Sequence, residues 1–183
     1  MKKLNYIFVG GKRLGFETLT FLSKKNFIPL CVVPNNDDIG RDNAFNKSVV
    51  KLAKSKNFKI IQLRSLYKFL KKNKFNVDVI FCLGSTKILP QEIVKIPKLG
   101  SFNIHPSLLP KYKGLNTFKR VIKNKEKLTG CTVHYVNNKL DSGKIIMKKK
   151  VFIKFGESEE TLKAKVQAKE YRIYSESIIN IFR

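Results

Sequence analysis

Asn103 and His105 lie two residues apart in the run Ser101-Phe102-Asn103-Ile104-His105-Pro106-Ser107-Leu108-Leu109-Pro110. On an extended backbone side chains alternate between faces, so the amide and the imidazole share one face while Phe102 and Ile104 enter an apolar layer. A neutral amide N–H stabilises an oxygen that gains negative charge, and imidazole is the side chain that titrates near neutrality. The pair therefore offers an oxyanion donor and a proton shuttle. Pro106 and Pro110 cannot continue a ladder or a helix interior, so the strand ends at His105 and opens into a stiff loop. That places the pair at a strand's carboxyl end, where open parallel sheets bind ligands.

The elements around this strand follow from apolar runs and turn residues. Leu4 to Val9 reads as a strand, Gly10-Gly11-Lys12-Arg13-Leu14-Gly15 as a turn, and the stretch through Leu19 and Leu22 as a helix. The turn is neither a dinucleotide fingerprint nor a P-loop. Gly10 and Gly11 either let backbone amides approach a phosphate, with Lys12 and Arg13 adding charge, or form a plain tight turn. Phe27 to Val33 predicts a strand ended by Pro34-Asn35-Asn36-Asp37-Asp38. Phe45, Val49, Leu52 and Ala53 form a helical stripe, followed by a short strand at Phe58 to Gln62 and a helix at Leu66 to Lys72. Val77 to Leu83 has the near-continuous apolar character of a parallel strand buried on both faces. Leu115 to Ile122 predicts a helix with Phe118, Val121 and Ile122 inward, and Thr129 to Val136 and Lys144 to Ile153 predict strands. A last helix begins at the N-cap Ser158, with Leu162, Val166, Ile173 and Tyr174 on its inner face. The alternation argues an α/β fold, one doubly wound and mostly parallel sheet with helices on both faces, in a single domain spanning 1–183.

Composition narrows the partners. The chain has 183 residues, 43% of them hydrophobic, with no low-complexity tract, repeat or membrane-length apolar run. Its start lacks the features of a secretory leader, so a cytoplasmic location is expected. Cys31, Cys82 and Cys131 form no metal-ligand spacing and are expected to be buried thiols; no metal is expected. Asp37, Asp38 and Asp42 lack the remaining ligand positions of a calcium loop. The net charge of +25 suits a nucleic-acid partner or reflects biased composition, because the lysines are scattered along the chain. Either way the field favours phosphorylated substrates.

Asn103-Ile104-His105-Pro106-Ser107-Leu108-Leu109-Pro110 with Lys111-Tyr112-Lys113-Gly114, then Gly130-Cys131-Thr132-Val133-His134-Tyr135-Val136 and Leu140-Asp141-Ser142-Gly143, resembles the folate-dependent formyltransferase family. The resemblance implies 10-formyltetrahydrofolate as formyl donor and cosubstrate, and a catalytic set of Asn103, His105 and Asp141. It implies folate contacts at Thr86, Lys87, Ile88, Leu89, Val136, Asn138 and Asp141, where Ile88 and Leu89 are alternatively core. For the acceptor it implies Pro106, Ser107, Gln167 and Glu170, the last two alternatively plain helix surface; Gly10, Gly11, Lys12 and Arg13 are acceptor-phosphate candidates from the turn's own chemistry, since this turn lacks the Ser-Asn of the ribonucleotide enzymes' phosphate loop. The resemblance further implies a cis Leu109–Pro110 peptide and structural support from His134; Thr132, two residues before His134, shares its face and is expected to hydrogen-bond near the site, and Gly143 lets the loop after Asp141 turn tightly against the cofactor.

Three subfamilies share the pattern. From Asn103 onward, including Gln167 and Glu170, the chain is most similar to glycinamide ribonucleotide transformylases. Its opening is closer to sugar-nucleotide N-formyltransferases and methionyl-tRNA formyltransferases. The expectation is transfer to the primary amine of a small phosphorylated acceptor, with glycinamide ribonucleotide first and a nucleotide-linked amino sugar second. A non-catalytic nucleic-acid-binding protein on this fold is the third reading.

Overall fold

A computed structural model describes residues 4–42 and 47–181. The elements alternate as the patterning predicts: β1 (Tyr6–Gly10), α1 (Lys12–Lys24), β2 (Cys31–Pro34), α2 (Val49–Ser55), α3 (Leu63–Lys72), β3 (Val79–Leu83), α4 (Gln91–Val94), β4 (Ser101–His105), α5 (Thr117–Lys123), β5 (Leu128–Tyr135), β6 (Ile145–Phe152) and α6 (Glu159–Ile181). The strands form one mostly parallel sheet in the order β2-β1-β3-β4-β5-β6, with β6 antiparallel to β5. Contacts group the chain into two compact units, one up to Phe102 and one spanning Asn103–Ile181.

In the first unit β1 and β3 are buried along their whole length. Tyr6, Ile7, Phe8, Val9, Ile80 and Phe81 form the centre of its core. Gly15, Thr18, Leu19 and Leu22 give α1 its inner face. The second strand is shorter than its apolar run. Phe27 closes the turn that follows α1, its N–H donating to the Leu22 carbonyl at 3.0 Å, and Ile28 is exposed. Phe58 to Gln62 does not make a strand: it is a single parallel bridge between Ile60 and Val32. The Phe58 N–H is held by the Ala53 carbonyl at 2.8 Å, and Gln62 is the N-cap of α3, so two helix ends leave only the middle free to pair. Phe45, assigned by the pattern to the helix that begins at Val49, lies outside the described residues.

In the second unit α5 starts at Thr117 and not at Leu115, because Asn116 adopts φ 55; Leu115 is exposed. Thr117 and Val121 turn inward, while Phe118 and Ile122 are half-buried. Ser158 Oγ accepts the Thr161 N–H at 3.2 Å, as its capping role predicts. Helix α6 packs on β5 and β6 through Leu162, Val166, Ile173, Tyr174 and Ile178. Each of the three cysteines is a free, buried thiol, pushed up to about 12 mainly by burial. Among the described residues no helix is long and apolar enough to cross a membrane, and no group of three or more acidic, histidine or cysteine side chains gathers for a metal ion.

Candidate active site

Strand β4 delivers His105 at its carboxyl end with Asn103 two residues before it. Phe102 and Ile104 are 3% and 5% exposed, which fixes the strand's apolar face and turns Asn103 and His105 to the other. Asn103 is half-buried. Among the described residues its amide has no side-chain or backbone partner, so its N–H groups are available to a ligand.

His105 is buried and held at both ring nitrogens. Nε2 is 2.8 Å from the Tyr112 carbonyl oxygen, which can only accept, so Nε2–H donates. Nδ1 lies 3.1 Å from Asp141 Oδ2. The ring thus sits between two oxygens, with Nε2–H donating to the carbonyl and Nδ1 facing the carboxylate. Asp141 Oδ2 also accepts the Gly114 N–H at 2.8 Å, and Oδ1 is 3.7 Å from His134 Nε2. Asp141 itself adopts φ 45, in the left-handed region.

His134 carries more than packing. Its Nδ1 donates to the Tyr135 carbonyl at 2.8 Å, which leaves Nε2 buried without a hydrogen-bond partner among the described residues. Burial is the main influence on its pKa and lowers it, so the ring is neutral at neutral pH and its Nε2 lone pair faces the Asp141 side.

The loop between His105 and Gly114 is clamped from β5. Thr132 Oγ1 donates to the Ser107 carbonyl at 2.6 Å and accepts the Leu109 N–H at 3.1 Å. Ser107 Oγ, fully buried, donates to the Lys111 carbonyl at 2.6 Å, and Lys148 Nζ donates to the Leu109 carbonyl at 2.5 Å. The Leu109–Pro110 peptide is cis. Thr132→Val removes a hydroxyl and leaves two buried backbone groups unpaired, at about 1–3 kcal/mol each. Because a misplacement of about 1 Å near the chemistry costs roughly 100-fold, the expected result is a fall in kcat of tenfold or more for Thr132→Val. Thr132→Ser should stay within about threefold of wild type; equal rates for both variants would contradict this role.

Gly143, expected where the loop turns tightly, lies against the end of β5. A Cβ there would lie 1.7 Å from the Tyr135 carbonyl oxygen, so glycine is required by close approach to the end of β5. Tyr112 was not singled out by the sequence; its carbonyl anchors His105, while its hydroxyl donates to Glu126 Oε1 at 2.8 Å under the Arg120 guanidinium. Of the residues expected to contact folate or acceptor, Leu89 is buried and Ile88 is 79% exposed. Val136 and Gln167 are half-buried, Asn138 is exposed, and Pro106 is half-buried.

Glu170 is not helix surface. It lies on the inner stripe of α6, 5% exposed, and burial alone pushes its carboxyl up to about 7. Since the folded value exceeds the ordinary carboxylate value near 4.5, its favourable contribution is complete below that value and is lost as pH rises to about 7. Wild-type stability, read from urea unfolding, should therefore fall by up to about 3 kcal/mol between those pH values relative to Glu170→Gln. Parallel pH profiles for the two proteins would contradict a buried, protonated Glu170.

The amide and the imidazole thus lie at the carboxyl end of β4, with a carboxylate from the loop after β5 against the ring, an oxyanion donor and a proton-shuttling pair in chemical terms. The formyl transferase model matches residues 5–178, and the chain belongs to that family. It is 35% identical over 156 residues to the bifunctional polymyxin resistance protein ArnA of Wigglesworthia glossinidia brevipalpis, covering 84% of this chain and 24% of that protein. It is 32% identical over 169 residues to the methionyl-tRNA formyltransferase of the same organism, covering 88% and 52%. A 40% identity to phosphoribosylglycinamide formyltransferase of Escherichia coli spans 97 residues, 53% of this chain and 46% of that one. Among solved structures, the N-formyltransferase from Helicobacter canadensis in complex with folinic acid and dTDP-3-aminofucose superposes with a TM-score of 0.81 at 27% identity, covering 99% of this chain and 64% of that one. The chain spans about half the length, or less, of the curated relatives it matches.

Proposed function

We propose that the chain, acting as one catalytic domain over 1–183, transfers a formyl group from 10-formyltetrahydrofolate to the primary amine of a phosphorylated acceptor. The observation that carries this reading is the buried His105–Asp141 pair at 3.1 Å, with the unpartnered Asn103 amide on the same strand. Attack of an amine on the formyl carbon forms a tetrahedral oxyanion and an ammonium. Asn103 donates to the oxyanion, a contact that strengthens as charge develops. His105 takes the amine proton and delivers one to the departing folate nitrogen, while Asp141 orients the imidazole and balances its charge. Folate contacts are assigned to Thr86, Lys87, Ile88 and Leu89, and to Val136, Asn138 and Asp141.

For the acceptor, a nucleotide-linked amino sugar is supported by the structural likeness over 99% of the chain to an enzyme solved with dTDP-3-aminofucose. The Gly10-Gly11-Lys12-Arg13 turn is the assigned phosphate contact, with Lys12 and Arg13 exposed. Glycinamide ribonucleotide is the second reading. It is favoured by the higher identity of a shorter stretch and by Gln167 and Glu170, although burial of Glu170 restricts how a ligand reaches it. A screen of purified protein with 10-formyltetrahydrofolate, glycinamide ribonucleotide and nucleotide-linked amino sugars separates the readings. Turnover only with amino sugars is expected; turnover only with the ribonucleotide would reverse the order.

A further inference from the structure

One side chain ties together three loops at the ends of the first three strands. Asn35 follows β2, and β1 lies between β2 and β3 in the sheet. Any link from Asn35 to the loop after β3 must therefore cross the turn after β1. The Asn35 amide makes that crossing: Nδ2 donates to the Gly84 carbonyl at 2.9 Å, Oδ1 accepts the Thr86 N–H at 3.1 Å, and the residue is 4% exposed. Its path runs over Gly11, where a Cβ would stand 2.9 Å from Asn35 Nδ2 and 3.3 Å from its Cγ. Gly84 closes the same contact from the other side, since a Cβ there would lie 2.4 Å from the Gly11 carbonyl oxygen. The neighbouring Asn36 adds a third link, its side-chain oxygen accepting from Lys87 Nζ.

We infer that Asn35 is a positioning residue that fixes the Gly84–Leu89 loop through the space left at Gly11, and thereby sets folate affinity without entering the chemical step. This rests on the reading above that Thr86 to Leu89 contact folate. Only one orientation of the amide serves both partners, because the carbonyl accepts and the N–H donates. Aspartate keeps the shape but sets a carboxylate oxygen against the Gly84 carbonyl. Alanine at position 11 blocks the crossing and breaks the same link without touching Asn35.

The test is equilibrium titration of 5-formyltetrahydrofolate with wild type, Asn35→Asp, Asn35→Ala, Gly11→Ala and the Asn35→Ala/Gly11→Ala double variant, followed by kcat and KM for Asn35→Asp. Each single variant is expected to weaken folate binding about tenfold: Asn35→Ala loses both hydrogen bonds, Asn35→Asp loses the donor and repels the Gly84 carbonyl, and Gly11→Ala displaces the amide from both partners. The double variant should bind no more weakly than the weaker-binding single one, because both break one link. For Asn35→Asp, KM for the formyl donor should rise while kcat stays within about twofold, a split that general destabilisation does not produce. Should the Asn35 variants fold poorly, Asn36→Ala removes the exposed third link and is expected to weaken folate binding two- to threefold at an unchanged Tm. Wild-type folate affinity in Asn36→Ala, or in the folded Asn35 variants, would overturn the inference, as would multiplicative losses in the double variant. Absence of folate binding by wild type would instead remove the functional reading on which the inference stands.

Discussion

Asp141→Asn is expected to lower kcat/KM for formyl transfer by roughly 1,000- to 10,000-fold, the loss seen when a carboxylate that orients a catalytic imidazole becomes an amide. Asp141 Oδ2 meets both His105 Nδ1 and the Gly114 N–H, at 3.1 Å and 2.8 Å. The asparagine oxygen can still accept the Gly114 N–H, so the loop stays in place. What disappears is the negative charge beside the ring, and with it the stabilisation of the imidazolium formed when His105 takes the amine proton. The variant should keep its Tm within a few degrees, and kcat should fall far more than folate affinity, which drops only by the share of the Asp141 folate contact. A decrease of less than tenfold would mean that the His105–Asp141 contact is structural only.

The second large effect falls on Asn103. Replacement by alanine removes the one neutral donor that the strand presents beside His105, and loss of one oxyanion donor costs roughly 100- to 1,000-fold in kcat, about 3–4 kcal/mol. Asn103 has no partner among the described residues to leave unpaired and is half-buried, so the substitution should cost little stability. Asn103→Asp should be at least as slow as Asn103→Ala, because a carboxylate repels the developing oxyanion. A rise in KM with unchanged kcat for both variants would make Asn103 a binding residue instead.

Most of the fold could be read from runs of apolar residues. Val79–Leu83 and Ser101–His105 stand where their burial pattern predicts, and Ser158 caps its helix. The misses have local causes. Gln91–Val94 buries only Ile93, too little for periodicity to register. Phe58 to Gln62 has the composition of a strand, but the helices on either side claim its ends. At the site, side-chain chemistry was legible and backbone chemistry was not. The Tyr112 carbonyl and the Gly114 N–H that hold His105 and Asp141 have no signature in residue type. Glu170 shows the opposite failure: its spacing from Val166 and Ile173 places it on the buried stripe of α6, but its charge argues for the surface. Gly143 was singled out as a constrained position, and a Cβ there would meet the Tyr135 carbonyl oxygen, a backbone contact with no signature in residue type.

The central claim is that this chain moves a formyl group through His105, and the most direct measurement follows the formyl carbon itself. Carbon-13-labelled 10-formyltetrahydrofolate would be mixed with wild type or His105→Ala and the acceptor panel, and the product amide read by NMR. The account predicts a labelled formamide on one acceptor amine with wild type, and none above background with the folded, folate-binding variant. Equal transfer by the variant, or no transfer by wild type to any acceptor despite folate binding, would contradict it.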